Sequence, residues 1–135
     1  MTFPFSAKVI FVPPAVSTLE REKVPFSEFV ATSFTVVTGH EDPTKPESQV
    51  HWDYTADTLI ILMGIGNIKE NIAQIMKYRS ADTPVCAIES GTLPNQNLVF
   101  GTLGDISDKK INTPAILIIG DVVSMYKDIY NYQGD

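Results

Sequence analysis

Four apolar runs of strand length set the tightest limit on what this chain can fold into. They are Thr58–Met63 (TLIILM), Pro84–Ile88 (PVCAI), Leu98–Leu103 (LVFGTL) and Ala115–Ile119 (AILII), bounded by glycine, proline and polar turn residues. A strand with one wet face alternates apolar and polar residues, whereas a largely continuous run belongs to a strand covered on both faces. Phe34–Thr38 (FTVVT) adds a β-branched strand stopped by Gly39. Helical segments lie between the runs. Asn67 with Glu70 at the third position reads as a capping box, and Ile68, Ile72, Ile75 and Met76 form one stripe. Asp105–Lys110 reads as a short helix, and a last helix starts at Asp121 with Val122, Met125, Tyr126 and Ile129 on one side. The Leu98–Leu103 run follows Pro94-Asn95-Gln96-Asn97 soon after the preceding strand, room for a hairpin but not for a crossover helix. The predicted fold class is α/β, a mixed sheet of about five strands flanked by helices. Upstream, Val9–Val12 reads as a strand stopped by Pro13-Pro14, and Ser17-Thr18-Leu19-Glu20 as a capping box. Residues 40–54 read as a long loop anchored by Trp52.

The 135 residues, 44% of them hydrophobic, make one ordinary domain that buries roughly two thirds of its unfolded surface. Disorder is excluded by that apolar content, and a disulfide framework by the single Cys86. No apolar run approaches the roughly 20 residues of a membrane span. The formal charge of −6, with lysines adjacent only at Lys109-Lys110 and arginine only at Arg21 and Arg79, disfavours nucleic acid, whose binding rests on phosphate neutralisation. The start Met1–Phe5 lacks the basic head and apolar core of a signal peptide, so a reducing cytoplasm is the expected location.

Chemistry is expected at strand ends. Met63-Gly64-Ile65-Gly66, Glu89-Ser90-Gly91-Thr92 and Gly120-Asp121 all end strands in small or polar residues, where open α/β sheets bind ligands. Two readings stand side by side: the glycines let a ligand approach the backbone, or they only make tight turns. Gly64-x-Gly66 is not a dinucleotide fingerprint, because Lys69 stands where a third glycine is needed. Asp121 reads as a helix cap rather than a catalytic acid. His40-Glu41-Asp42 with His51 fits no standard zinc spacing, and no metal is expected. Cys86, inside a strand with no histidine partner, reads as packing, and no hydrolytic triad assembles.

The stretch Val37-Thr38-Gly39-His40-Glu41-Asp42-Pro43-Thr44-Lys45-Pro46-Glu47-Ser48 resembles the Val-Thr-Gly-His-Glu loop of the uroporphyrinogen-III C-methyltransferases, within the tetrapyrrole methylases. The similarity continues in order through Trp52-Asp53, Asp57–Gly64, Thr83-Pro84-Val85, Glu89–Thr92, Gln96, Gly101-Thr102-Leu103 and Pro114–Val123, from about Thr32 to Tyr126. The resemblance implies a two-domain α/β enzyme, a homodimer, with S-adenosylmethionine folded in the cleft between domains. It covers the C-terminal domain, placed here at 34–135, and a connecting segment at 1–33, so that a separate N-terminal domain is a possible partner.

By the resemblance, Met63 contacts the cofactor through its backbone, Gly91 lies against the adenosine and Ser17-Thr18 supply small hydroxyls. Gly120 occupies the matching third strand end. The implied function is methyl transfer to uroporphyrinogen III, a tetrapyrrole, in siroheme and cobalamin biosynthesis, with no catalytic residue assigned and the chain incomplete and inactive alone. The alternatives are a non-catalytic dimerisation or scaffold module, or a relative with another acceptor. Pro25-Phe26-Ser27-Glu28-Phe29 stands where the family has Pro-Leu-Thr-His-Arg and supplies neither His nor Arg, although a polycarboxylate favours arginine partners. The Val9–Val12 strand is expected to pair across a dimer or to join the sheet.

Overall fold

The computed structural model describes residues 31–40, 44 and 50–125. The expected strand Val9–Val12, the pair Ser17-Thr18 and the segment Pro25–Phe29 lie outside the described residues, as do Tyr126 and Ile129. Within them the element order is β1 (Phe34–Thr38), β2 (Thr58–Leu62), α1 (Ile68–Ile75), β3 (Pro84–Glu89), β4 (Asn97–Thr102), a 3₁₀ turn (Ile106–Asp108) and β5 (Ala115–Ile119). The described residues form a five-stranded mixed sheet in the order β1-β2-β5-β3-β4. β1 runs parallel to β2, pairing Phe34 with Thr58 through Thr38 with Leu62. β5 is inserted antiparallel between β2 and β3, and β3 and β4 form the expected hairpin.

The absence of alternation in the strand sequences has a direct cause, for successive residues enter two separate cores. Leu59, Ile61, Val85, Ala87, Leu117 and Ile119 point to one face, under Ile72 and Ile75 of α1, Leu103, and Ile106 of the 3₁₀ turn. Trp52 is buried in this cluster, as the reading of an anchored loop requires. Ile60, Cys86, Ile88 and Ile118 point to the other face and meet Ala31, Val122, Val123 and Met125. Burying the methyl groups of each such side chain contributes on the order of 1.5–3 kcal/mol, which makes both layers necessary.

Two local expectations are corrected. Asn67 occupies the N-cap position of α1, but its side chain makes no capping hydrogen bond. The segment expected as a short helix at Asp105–Lys110 is a single 3₁₀ turn, because Asp105 Oδ1 turns back to accept the Thr102 N–H at 2.7 Å and Lys109 is already extended. Helical structure at 122–125 follows Gly120-Asp121 as expected.

The lower end of the sheet is closed by polar side chains. Asp57 Oδ2 accepts the Thr32 N–H at 2.9 Å and the Thr32 hydroxyl at 3.0 Å, while the Ser33 hydroxyl accepts the Asp57 N–H at 3.0 Å. These donors, the Thr32 backbone first, hold the Asp57 carboxyl below its ordinary value. The Arg79 guanidinium donates to the carbonyls of Tyr54, Ala56 and Asp57 and pins the approach to β2.

Candidate functional site

Strand direction decides which residues can share a site. β2 and β3 run the same way, with β5 reversed between them. Their carboxyl ends therefore share one rim with the start of β5 and, through β1, with Gly39-His40. Met63 and Ser90 follow strands that are two positions apart, a separation of about 10 Å.

This rim is where the backbone is strained. Met63 (φ 53°), Ser90 (φ 47°) and Thr92 (φ 77°) are the non-glycine residues with positive φ among the described residues, and all three sit at these two corners. Each such conformation costs on the order of 1–3 kcal/mol and persists only where its surroundings enforce it, a pattern that concentrates at binding sites. Met63 is also 65% exposed, the most exposed of the large apolar side chains described.

Buried polar side chains supply the enforcement. Beneath the Met63 corner, the buried Asn71 of α1 donates from Nδ2 to the Gly39 carbonyl at 3.0 Å and the Gly64 carbonyl at 3.3 Å. Gly39 N–H in turn donates to Leu62 O at 2.7 Å, so the ends of β1 and β2 are tied twice. Beneath the Ser90 corner, the buried Glu89 accepts the Asn112 N–H at 2.8 Å, the Asn97 side-chain amide at 3.1 Å and the Asn112 side-chain amide at 3.3 Å. The Asn112 backbone donor, followed by the Asn97 amide, holds the Glu89 carboxyl below the ordinary glutamate value. Above it, Ser90 N–H donates to Pro114 O at 2.8 Å and Thr92 N–H to Gln96 Oε1 at 2.7 Å.

The glycines divide between the two readings. A Cβ on Gly39 would lie 2.6 Å from Gly64 Cα and 2.7 Å from Asn71 Nδ2, and one on Gly64 would lie 2.7 Å from Ile61 Cγ2, so both serve close packing. At Gly66 a Cβ would meet nothing, and at Gly91 it would meet only Ile88 Cγ2 at 3.3 Å. Gly91 is exposed and free for an outside group to approach.

The expected third strand end is corrected. Gly120 ends β5, which is antiparallel to β2, so it lies at the lower end of the sheet, where a Cβ would be 2.5 Å from Asp57 O. The structure brings Met63 and Gly91 to one rim and leaves Gly120 at the other. The misplacement follows from assuming that every strand end faces the same way, which an antiparallel β5 breaks.

Other candidates recede. His40 and His51 are both exposed, and no group of three His, Cys, Asp or Glu side chains among the described residues could hold a metal ion. Cys86 is buried, and burial pushes its thiol up to about 12. Asp121 is exposed immediately before the helical residues 122–125, the place of a cap. No helix among the described residues is long and apolar enough to cross a membrane.

Sequence reasoning missed the clamps. Asn71 could have been found, because it falls at i+3 of the stripe Ile68, Ile72, Ile75 and is the polar member of a buried face. Glu89 carried the weaker signal of a carboxylate directly after five strand residues.

Comparison with known proteins gives a consistent picture. A family model described as tetrapyrrole (corrin/porphyrin) methylases matches residues 12–107. A "Uroporphyrinogen-III C-methyltransferase" of Methanobacterium ivanovii is 57% identical over 97 residues, covering 72% of this chain and 42% of that protein. An "S-adenosyl-L-methionine-dependent uroporphyrinogen III methyltransferase" of Methanosarcina barkeri is 41% identical over 112 residues, covering 76% of this chain and 44% of that protein. In fold, the chain resembles a uroporphyrin-III C-methyltransferase of Thermus thermophilus solved with S-adenosylhomocysteine. That match has a TM-score of 0.64 and 21% identity over 80% of this chain and 51% of the other. The chain thus spans less than half the length of these two curated relatives.

Proposed function

The chain belongs to the tetrapyrrole (corrin/porphyrin) methylase family, and on that premise we propose that it forms one wall of an S-adenosylmethionine-dependent C-methyltransferase acting on uroporphyrinogen III. The carrying observation is the single rim on which the strained Met63 and Ser90–Thr92 corners meet. The rim suits the cofactor: Met63 stands exposed at a left-handed corner, and Gly91 leaves an open surface for a flat ring. When bound, S-adenosylmethionine supplies an electrophilic methyl group, and the chain's part is to hold and orient it, because alignment with the acceptor carbon is the main source of acceleration available.

In this reading Met63 holds the cofactor through its backbone and Gly91 lies against the adenosine. Ser17 and Thr18 complete the wall from the connecting segment 1–33, which leads into the C-terminal-type domain 34–135. Gly120 is left out, since it lies at the opposite end of the sheet. The reading extends to a homodimer in the cytoplasm, serving siroheme or cobalamin formation. Turnover needs both walls of the cleft, so the chain alone is expected not to methylate uroporphyrinogen III.

Calorimetry with S-adenosylhomocysteine tests the proposal. Binding by the pure chain that disappears in Gly91→Val and in Met63→Val is the expected result. A folded chain that takes no S-adenosylhomocysteine would sink the reading and favour a scaffold module instead.

A further inference from the structure

Among the described residues the buried polar side chains are Thr58, Asn71 and Glu89, and Asn71 donates to the backbone carbonyls of two different loops. Its amide has two N–H donors, and each meets a backbone carbonyl: Gly39, 32 residues earlier, and Gly64, seven residues earlier. A side-chain amide in an apolar stripe is tolerated only where its hydrogen bonds are satisfied, so its presence in α1 needs a reason beyond helix formation. Leucine or isoleucine would fill the stripe with no polar group to satisfy, but neither could hold the carbonyls.

We propose that Asn71 is a positioning residue for the cofactor wall: it fixes the Met63-Gly64 corner and the Gly39-His40 loop in one arrangement. The inference rests on the cofactor reading above and adds a residue to it that touches no ligand. Three contacts make the coupling rigid. Gly39 N–H is bound to Leu62 O, Gly39 and Gly64 carbonyls share one amide, and the two glycines are packed so closely that a Cβ on Gly39 would sit 2.6 Å from Gly64 Cα. Neither loop can move without displacing the other or breaking a buried hydrogen bond. Met63 lies directly between Leu62 and Gly64, so the left-handed backbone at φ 53° is held from both sides by groups tied to Gly39. Release of the amide would let Met63 relax out of that conformation, and the backbone it offers to a ligand would turn away.

The test compares Asn71→Leu with Ile72→Val, a buried control on the same helix whose side chain has no hydrogen-bond donor for either carbonyl. Amide NMR spectra of the free chain are recorded first. Asn71→Leu is expected to shift the resonances of residues 38–40 and 63–66 together while Ser90–Gln96 stay in place. In calorimetry with S-adenosylhomocysteine it is expected to lower affinity about tenfold, the loss expected when two buried carbonyls lose their donor. Ile72→Val should keep affinity within about twofold even as it lowers the melting temperature. Unchanged affinity in Asn71→Leu, shifts confined to one loop, or affinity losses that track thermal stability in both variants would each overturn the proposal. If Asn71→Leu does not fold, Asn71→Ser, which shortens the reach without adding apolar bulk, is read in the same way. Should the wild-type chain take no S-adenosylhomocysteine, the cofactor reading fails, and the spectra still decide whether Asn71 couples the loops.

Discussion

The Glu89 carboxylate accepts the backbone N–H of Asn112 at 2.8 Å, across 23 residues of sequence, and so ties the end of β3 to the approach of β5. With Asn97 on its other oxygen, the same carboxylate also anchors the start of β4. One buried acidic group thereby holds three chain segments beneath the Ser90 corner, and it does so best as an anion.

That dependence sets a pH response. Glu89, Asp57 and Asp105 are all held below their ordinary values by backbone donors, from Asn112, Thr32 and Thr102 respectively. A depressed carboxyl contributes its full stability above its unfolded value, and the contribution is lost as pH falls through the depressed folded value. The urea midpoint is expected to hold at neutral pH and to drop below the ordinary carboxylate range. Glu89→Gln, which keeps one acceptor and loses the charge, should be less stable at neutral pH and show a shallower acid drop. An acid drop as steep as the wild type's would show that Glu89 does not contribute.

Gly39→Ala is expected to destabilise the chain by about 1–3 kcal/mol, because the new Cβ meets backbone at Gly64 that cannot rotate away. Gly66→Ala, with open space around it, should be neutral or stabilising by up to about 1 kcal/mol through the unfolded chain. Urea denaturation of the pair checks the contrast, and equal effects would contradict the close packing of the two strand ends.

Gly120→Ala and Gly91→Ala separate the two ends of the sheet. Gly120 combines φ +140° with a 2.5 Å approach to Asp57 O, so alanine there should cost roughly 1–3 kcal/mol of stability while leaving affinity for S-adenosylhomocysteine unchanged in the folded protein. Gly91→Ala needs only a shift of a few tenths of an ångström by Ile88, so stability should hold while affinity falls. The reverse pattern would place the ligand at the lower end.

Cys86 should resist a thiol-specific disulfide reagent at mildly alkaline pH, since only the thiolate reacts and burial pushes this thiol up to about 12. Complete labelling is expected only on addition of denaturant. Rapid labelling of the folded chain would mean that the second core opens readily.

Much of the fold could be read from the sequence because its signals are local. The run of apolar residues at Ala115–Ile119 coincides with β5, and the turn residues around Pro94–Gln96 correctly mark a hairpin. The direction of β5 was not legible in this way. Whether Ile119 points up or down beside Leu59 depends on a crossover over β3, which no residue within β5 records. The candidate site was half legible for the same reason. Met63 and Gly91 announce themselves by the turn residues around them, whereas Asn71 and Glu89 act through carbonyls and amides of segments far away in sequence. A capping box at Asn67 satisfied the local rule and still failed, since Asn67 makes no side-chain cap.

The position of β5 also bears on how the chain assembles. Among the described residues it is the last strand in sequence and the third in space, joined to β2 on one side and β3 on the other. Until it is made, the β1–β2 pair and the β3–β4 hairpin share no ladder, and each leaves an apolar edge without a partner. During synthesis the two ribbons wait for a segment more than fifty residues downstream of β2 (Thr58–Leu62 to Ala115–Ile119) to emerge from the ribosome. The sheet then closes in one late, long-range step, the kind of pairing that folds slowly and exposes unfinished edges meanwhile.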